Sequence, residues 1–172
     1  MLSYGSLTHA RVNIFASGGL ATNTIPGKMY LAYDKKLAIA PVTEIVFFND
    51  LKSIKIGLIA RYGSLNIVAK PRFTPGREFS YRNIELAKNV FSVMINLGKV
   101  FNAGRCSLSP SAEFGLAFNE KKNGIAVGLR FDATYRITKH FGLLAGTSGT
   151  MYKIKNNAIF YFPLKAGVAF NL

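Results

Sequence analysis

The sequence predicts an all-β chain that forms an eight-stranded antiparallel up-and-down transmembrane β-barrel, with ten strands as the alternative. Three observations predict it. Apolar residues recur at every second position, several of these runs exceed ten residues, and the positions between them are mostly Gly, Ala, Ser and Asn with isolated charges. Since successive side chains of a strand point to opposite faces, each run has one wholly apolar face. A tilted membrane-spanning strand needs roughly 9 to 11 residues, whereas strands average about 5 to 6.

Composition agrees with one membrane-embedded unit. Of the 172 residues, 49% are hydrophobic and 17% are charged. No stretch approaches the roughly 18 consecutive apolar residues of a membrane helix, and hydrophobicity that is spread by alternation is typical of membrane barrels. No linker divides the chain, so we expect residues 1–172 to form a single domain.

Eight segments carry the alternation. HARVNIFAS, LAIAPVTEIVFF, SIKIGLIARY and VFSVMINLG mark the first four, and RCSLSPSAEFGLAFNE, NGIAVGLRFDATYRIT, FGLLAGTSGTMY and AIFYFPLKAGVAFNL mark the last four. The Asn-Gly of NEKKNG is a strong hairpin signal and predicts a turn that places Phe118 opposite Ile125. The predicted strands cover residues 8–17, 36–48, 53–70, 80–98, 105–119, 124–137, 140–153 and 157–172.

The third segment changes parity. Its apolar side chains lie at even positions up to Tyr62 and at odd positions from Leu65. A β-bulge within one strand explains the change. A hairpin turn at Gly63-Ser64 explains it as well, and ten strands follow if KMYLAY is also a strand.

The lengths of the connections differ between the two ends of the predicted barrel. The first and third, GGLATNTIPGKMYLAYDK and PRFTPGREF, are long, whereas NDLK, KVFNAG and TK on the other side are short. Outer-membrane barrels have short periplasmic turns and longer external loops. We therefore expect both chain ends on the turn side.

These residues resemble a family. GLRFDATYRITKHFGLLAG is similar to the strand, turn and strand unit of small bacterial outer-membrane barrels of the opacity-protein and outer-membrane-protein-A transmembrane type. The resemblance implies a bacterial outer-membrane location, with the lipid bilayer and the barrel-assembly machinery as partners. It also implies that the ending GVAFNL is the assembly signal, formed by Val168, Phe170 and Leu172. No secretory signal is visible in MLSYGSLTHARVNIF, so this location requires a signal upstream of Met1.

Two groups of charged residues are candidate sites. The chain has 22 Lys and Arg against 8 Asp and Glu, a net charge of +14. At the loop end we expect a basic rim that meets lipopolysaccharide phosphates or a partner through charge-assisted contacts. It comprises Lys28, Lys35, Lys36, Arg72, Arg77, Arg82, Lys121, Lys122, Lys153 and Lys155.

Inside the barrel, the predicted register sets Glu113 opposite Arg130. Because an unpaired charge in a narrow lumen is costly, we expect a network of paired charges. Arg11 and Glu44 extend this network. Its principal members are Glu113, Arg130, Asp132, Arg136, Lys55, Arg61 and Lys165.

Enzymatic chemistry finds no support in the sequence. His9 and His140 are the only histidines, and both fall at the turn end of their strands. No nucleophile motif, metal-binding motif or phosphate-cradling loop occurs, and Cys106 stands alone. We expect no catalytic residue, metal or cofactor, and no nucleic-acid partner, since the aromatic residues lie on the apolar faces.

The predicted function is that of a non-enzymatic integral outer-membrane barrel, a structural or surface protein whose basic rim contacts lipopolysaccharide or an envelope or host partner. A narrow anion-tolerant pore is the first alternative, because excess positive charge favours anions. A soluble barrel that binds a ligand or nucleic acid is the second. The pattern predicts no oligomeric state.

Overall fold

A computed structural model describes residues 11–24, 39–51, 54–69, 84–119, 122–154 and 157–171. These residues form nine β-strands, and none of them forms a helix long and apolar enough to cross a membrane. The strands are β1 (Arg11–Thr24), β2 (Ile39–Leu51), β3 (Ile54–Ala69), β4 (Ile84–Lys99), β5 (Phe101–Ala103), β6 (Cys106–Asn119), β7 (Lys122–Arg136), β8 (Phe141–Ile154) and β9 (Asn157–Asn171).

Eight long strands close into one antiparallel barrel. Each long strand pairs with the next long strand along the chain, so that β4 pairs with β6, and β1 pairs with β9 to close the barrel. The three-residue β5 pairs with β6 beyond the end of β4. Gly104, with a φ of 62°, starts the tight turn between β5 and β6, a backbone conformation that favours glycine. The predicted eight-stranded barrel is confirmed.

The barrel has two ends. The turn end carries the end of β2, the start of β3, the β5–β6 hairpin and residues 137–140. The loop end carries the last residues of β1, β3, β6 and β8.

The parity change of the third segment is an irregularity within one strand. β3 runs as a single strand, and its pairing with β4 shifts register between Ser64 and Ile67 and again between Ile67 and Val68. An inserted residue of this kind re-aims the side chains that follow it. The proposed hairpin turn at Gly63-Ser64 is therefore wrong, and KMYLAY lies outside the described residues.

The first strand is longer than predicted. It continues through Gly18 and Gly19 to Thr24 instead of ending at residue 17. A Cβ atom on Gly19 would lie 2.0 Å from the Leu164 carbonyl oxygen, so glycine here permits close approach of β1 to β9. Gly19 therefore marks a close contact inside the strand, and the Gly18-Gly19 pair does not end it.

The β6–β7 hairpin is tighter than predicted. Asn119 pairs with Lys122, and Phe118 pairs with Asn123 and not with Ile125. The Asn-Gly pair consequently lies within β7. This register places Glu113 opposite Gly128, where a Cβ atom would come within 2.9 Å of the Glu113 carboxylate. Glycine at this position therefore leaves room for the Glu113 side chain.

Pro163 is accommodated inside β9. A proline has no N–H to give to a ladder. Between β8 and β9 the pairing is interrupted at this point. Thr147 pairs with Leu164 and Thr150 pairs with Tyr161, but Pro163 and Phe162 have no paired residue on β8. Thr147 Oγ1 donates a hydrogen bond to the Pro163 carbonyl at 2.9 Å, which keeps the strands together there.

The outer surface is apolar. Leu129 and Leu164 are each 72% exposed and Phe114 is 60% exposed. Meanwhile Lys55 and Asp132 are 0% exposed within the lumen. A water-soluble barrel has its apolar side chains inside and its charged side chains outside. Soluble proteins rarely expose contiguous apolar patches of this size, because their contact with water is unfavourable. The soluble-barrel alternative is therefore wrong, and the chain is a membrane β-barrel.

The lumen is filled in layers. Near the turn end, the rings of Phe15 and Phe48 meet edge to face with centroids 4.5 Å apart. Near the loop end, the rings of Tyr152 and Tyr161 lie 5.6 Å apart. Buried charges occupy the space between these aromatic pairs.

Candidate functional site

The charged side chains of the lumen come from strands all around the barrel. Each lies at an inward position of the alternating pattern, so the residues that pair in space are distant in sequence. We call this set the lumen network. It comprises Glu44 on β2, Lys55 and Arg61 on β3, Glu113 on β6, Arg130 and Asp132 on β7, and Lys165 on β9.

Arg61 joins two carboxylates. Its Nη1 and Nη2 atoms donate to the two oxygens of Glu113 at 3.0 and 2.7 Å, and its Nε donates to Glu44 at 2.7 Å. Nη1 also donates to Thr150 Oγ1 at 2.7 Å. The planar guanidinium thus makes a bidentate pair with one carboxylate and spans the bore to a second.

Glu44 receives three cations. Besides Arg61, it accepts a hydrogen bond from Arg130 Nη1, and Lys165 Nζ lies 3.0 and 3.1 Å from its two oxygens. Several cations around one buried carboxylate offset its loss of hydration. Glu44 therefore links β2 to β3, β7 and β9.

Asp132 forms the turn-end part of the network. Its Oδ2 accepts from Arg130 Nε at 2.5 Å and from Lys55 Nζ at 3.2 Å. Lys55 Nζ also lies 4.4 Å from the ring centroid of Phe48 and 5.0 Å from that of Phe15. A cation over an aromatic face is attracted by the ring's negative charge density, so this lysine joins the charged layer to the aromatic one.

The lumen network is almost neutral. Four cations face three carboxylates, and each of the seven residues is at most 3% exposed. Arg130 Nη2 and Asp132 Oδ1 make no hydrogen bond within the described residues. The arrangement stabilises a packed bore, because removing any one partner leaves a buried charge with too few contacts.

The structure brings together six of the seven predicted principal members of the lumen network. The partner of Glu113, however, is Arg61 and not Arg130, because the hairpin register differs by two positions. Arg136 is exposed at the turn end, outside the network, since it stands at the last position of β7. The side chain of Arg11 lies outside the described residues.

Sequence reasoning missed the hydroxyl and amide members of the lumen. Thr150 hydrogen-bonds with both Arg61 and Glu113, and Asn96 Nδ2 donates to Ser111 Oγ at 2.7 Å. Alternation along β4, β6 and β8 places these residues inward, but it does not show which side chains meet across the bore.

Of the predicted basic rim, Lys153 is described. It is exposed near the loop end of β8. Lys122 begins β7, with its side chain outside the described residues. The other members also lie outside them: Lys28, Lys35, Lys36, Arg72, Arg77, Arg82, Lys121 and Lys155.

At the other end of the barrel, β9 carries the predicted assembly signal. Phe170 faces outward with 41% of its surface exposed, and its ring lies 5.6 Å from that of Phe141. Val168 is partly exposed, and Leu172 lies outside the described residues. The β9 ladder is tied to the adjacent turn, because His140 Nδ1 lies 3.0 Å from the Asn171 carbonyl oxygen.

The described residues offer no group of three or more His, Cys, Asp or Glu side chains that could hold a metal ion. His140 is exposed in the turn at residues 137–140, and its ring contacts the Asn171 backbone. Cys106 is exposed at the start of β6. His9 lies outside the described residues.

Comparison with known proteins supports the fold. No protein-family model matches the chain, and no curated protein sequence matches it significantly. The crystal structure of Neisserial surface protein A has 14% identity and a TM-score of 0.65, with coverage of 94% of this chain and 97% of that one. A major outer membrane protein of Thermus thermophilus has 10% identity and a TM-score of 0.57, with coverage of 95% of this chain and 100% of that one.

A third similar structure is that of an enzyme. The outer membrane protease OmpT of Escherichia coli has 8% identity and a TM-score of 0.50, with 99% of each chain covered. At such low identities the likeness concerns the fold alone. The predicted resemblance is confirmed at this level: the chain has the fold of the small bacterial outer-membrane β-barrels.

Proposed function

We propose that this chain is a non-enzymatic integral protein of the bacterial outer membrane, with a closed barrel that presents basic loops to lipopolysaccharide or to an envelope or host partner. The observation that carries the proposal is the division of charge. The lumen network accounts for +1 of a net charge of +14, so the excess lies elsewhere in the chain. A buried network with paired charges is a structural filling, whereas unpaired exposed cations attract anionic surfaces.

Lipopolysaccharide is the first ligand to test. Its phosphates carry the charge that Lys and Arg bind through charge-assisted hydrogen bonds. The test variant replaces Lys35, Lys36, Lys121 and Lys122 with Gln, and binding of the purified, detergent-solubilised chain to immobilised lipopolysaccharide is measured at rising salt concentrations. We expect weaker binding and a smaller salt dependence for the variant, since fewer screened contacts remain.

The control for this experiment lies at the opposite end of the barrel. Lys99 and Lys139 are exposed at the turn end, and Lys99→Gln with Lys139→Gln removes basic charge without touching the rim. Binding that falls equally in both variants indicates general charge attraction and contradicts a rim-specific contact. Binding that is unchanged in the rim variant rejects the lipopolysaccharide proposal, and an envelope or host partner then remains to be sought with the same variants.

The pore alternative predicts ion conduction through the barrel, whereas the structural role predicts none. Side chains with little or no exposure fill the bore, from the Phe15–Phe48 pair to the Tyr152–Tyr161 pair. We therefore expect no single-channel steps when the folded protein is inserted in planar bilayers. Regular conductance steps that favour anions would establish the pore and displace the structural role.

A further inference from the structure

A small cavity with a mixed polar and apolar lining opens at the turn end of the barrel, opposite the proposed basic rim. Its volume is about 60 Å³, and the Phe15 and Phe48 rings contribute to its lining. A buried water requires roughly 10 to 15 Å³ of volume on this measure. The cavity therefore has room for about four waters or one small oxyanion. Its polar lining includes Asn13, Asn102, Arg105, Ser109, Arg136 and Asn171.

At the turn end of β6 and β7, pairs of polar residues on the two adjacent chain segments lead into this cavity. Arg105 and Arg136 stand at the mouth, where the Arg136 N–H donates to the Arg105 carbonyl oxygen at 2.8 Å. Ser107 and Thr134 follow one step deeper and are joined through their hydroxyl groups. Ser109 is deeper still, beside its backbone partner, the network residue Asp132.

Positive charge at the mouth lacks a counter-charge among the described residues. Neither Arg105 nor Arg136 makes an ion pair with a described side chain, although both residues line the cavity. Asp132, the acidic residue next to Ser109, is already bound by Lys55 and Arg130. An external anion that enters the mouth would therefore meet two guanidinium groups that form no ion pair with a described side chain.

Ser109 supplies an independent observation. The residue is 6% exposed and lines the cavity, yet its Oγ has no hydrogen-bond partner among the described residues. Buried hydroxyl groups are normally hydrogen-bonded, so this hydroxyl indicates a polar group that enters from the mouth. An oxyanion would accept hydrogen bonds from Ser109 and from both guanidinium groups, the planar donors that suit phosphate geometry.

We propose that the turn-end cavity binds one phosphate-type oxyanion, held at the mouth by Arg105 and Arg136 and in its depth by Ser109. Two sources share this chemistry: free phosphate and the phosphate of a phospholipid headgroup at the adjacent membrane boundary. The proposal concerns the end of the barrel away from the basic rim, and it stands independently of the proposed contact with lipopolysaccharide.

Inorganic phosphate is the probe. The purified chain in a phosphate-free maltoside detergent is titrated with phosphate by calorimetry, and folding of every variant is checked by heat-modifiable gel migration. We expect saturable binding that weakens at least roughly tenfold in the variant with Arg105→Gln and Arg136→Gln, because two charge-assisted contacts are lost. Ser109→Ala loses one neutral contact and should weaken binding by about fivefold.

Matched controls separate the site from general charge and from general packing. Lys153→Gln removes an exposed cation at the loop end. Ser148→Ala removes another buried hydroxyl without a partner among the described residues, one that does not line the cavity. Both controls should bind phosphate as the parent chain does. Folded parent chain that shows no saturable binding, or equal weakening in the controls, overturns the proposal.

A second measurement identifies the source of the oxyanion. Phosphate is titrated into the chain in phospholipid nanodiscs as well as in detergent. Binding in both environments supports a free anion. Binding in detergent that disappears in nanodiscs, and that added phospholipid also displaces from the detergent sample, supports a lipid headgroup.

Discussion

Arg61 makes four hydrogen bonds in the lumen, because its guanidinium group reaches Glu113, Glu44 and Thr150 at once. Removing one partner of a buried ion pair commonly costs about 3 to 5 kcal/mol, since the remaining charge stays buried. We expect Arg61→Met to lower the free energy of unfolding by about this amount. The measurement is urea unfolding of the chain in lipid vesicles, followed by heat-modifiable gel migration.

A double-mutant cycle isolates the pair from the rest of the network. Glu113→Leu combined with Arg61→Met removes both charges, so the double variant should be more stable than the sum of the single losses implies. Lys153→Met, at an exposed position, should change the free energy by less than about 0.5 kcal/mol. Strictly additive single losses would show that Arg61 and Glu113 do not stabilise each other.

Gly19 illustrates how closely two strands approach in this narrow barrel. A Cβ atom there would lie 2.0 Å from the Leu164 carbonyl oxygen and 2.9 Å from the Lys165 Cα atom, both on the backbone of β9. The backbone of β1 would have to move, and overpacking of this kind costs about 1 to 3 kcal/mol. We expect Gly19→Ala to lower the free energy of unfolding by that amount in the vesicle assay.

The neighbouring glycine is the natural control. A Cβ atom on Gly18 would lie 3.6 Å from the Val42 carbonyl oxygen, an ordinary contact. Gly18→Ala should therefore leave the stability within about 0.5 kcal/mol of the parent chain. Equal effects at the two positions would contradict the close β1–β9 approach.

At the scale of single strands, β7 has an outer face whose surroundings change with depth. Leu129 lies at the centre of the strand and is 72% exposed, whereas Ile137 follows its turn end and is 46% exposed. An arginine at the bilayer midplane of a barrel costs about 2 to 4 kcal/mol, and one near the interface costs about 0 to 1. We expect Leu129→Arg to destabilise the vesicle-embedded barrel by the larger amount and Ile137→Arg by the smaller.

This comparison needs no further control, because each variant serves as the reference for the other. In a water-soluble barrel both substitutions would sit in solvent and cost little. Similar small effects at the two positions would therefore contradict the membrane placement of β7.

Strand alternation shows which residues share a face but not the register between strands. From the sequence, Glu113 and Arg130 both point inward, and the structure places them so. Their predicted pairing was wrong because registers two residues apart preserve the same alternation. The actual choice depends on Glu113 reaching Arg61 across the bore and lying over Gly128, contacts that involve β3, β6 and β7 together.

Strand ends were less predictable than strand existence. The predicted first strand ends at residue 17, whereas β1 continues to Thr24. Gly18 and Gly19 have no side chain to extend the alternating pattern, although the backbone stays extended. The short β5 lies within the predicted connection KVFNAG, because three residues carry no periodic signal. Arg136 has the correct parity for the lumen but lies at the mouth, so depth within the barrel, which alternation does not encode, decides its surroundings.

For the whole molecule, burial divides the described lysines into two classes. Lys55 and Lys165 are 0% and 3% exposed inside the lumen, whereas Lys99, Lys139 and Lys153 are exposed. A water-soluble amine-acylating reagent should therefore modify the second class in the folded, vesicle-embedded chain and spare the first, as measured by peptide mass spectrometry. After unfolding in denaturant, all of these lysines should react.

The unfolded sample controls for the intrinsic reactivity and the detection of each peptide. Rapid modification of Lys165 in the folded chain would show that solvent passes through the bore. That outcome would favour the pore alternative over a closed structural barrel.

The pairing of β1 with β9 has a consequence for biogenesis. Asn13 pairs with Asn171, so the β1–β9 seam joins the two ends of the described chain. Among the described strands it is the pairing with the largest separation in sequence. Before β9 pairs with β1, one edge of β1 has unpaired backbone N–H and C=O groups. A strand of another chain can form hydrogen bonds with such an edge. Contacts between such remote segments also form late, because a long loop must be closed first. We expect closure of this final seam to be the step at which misassembly with a second copy competes most directly with the native ring.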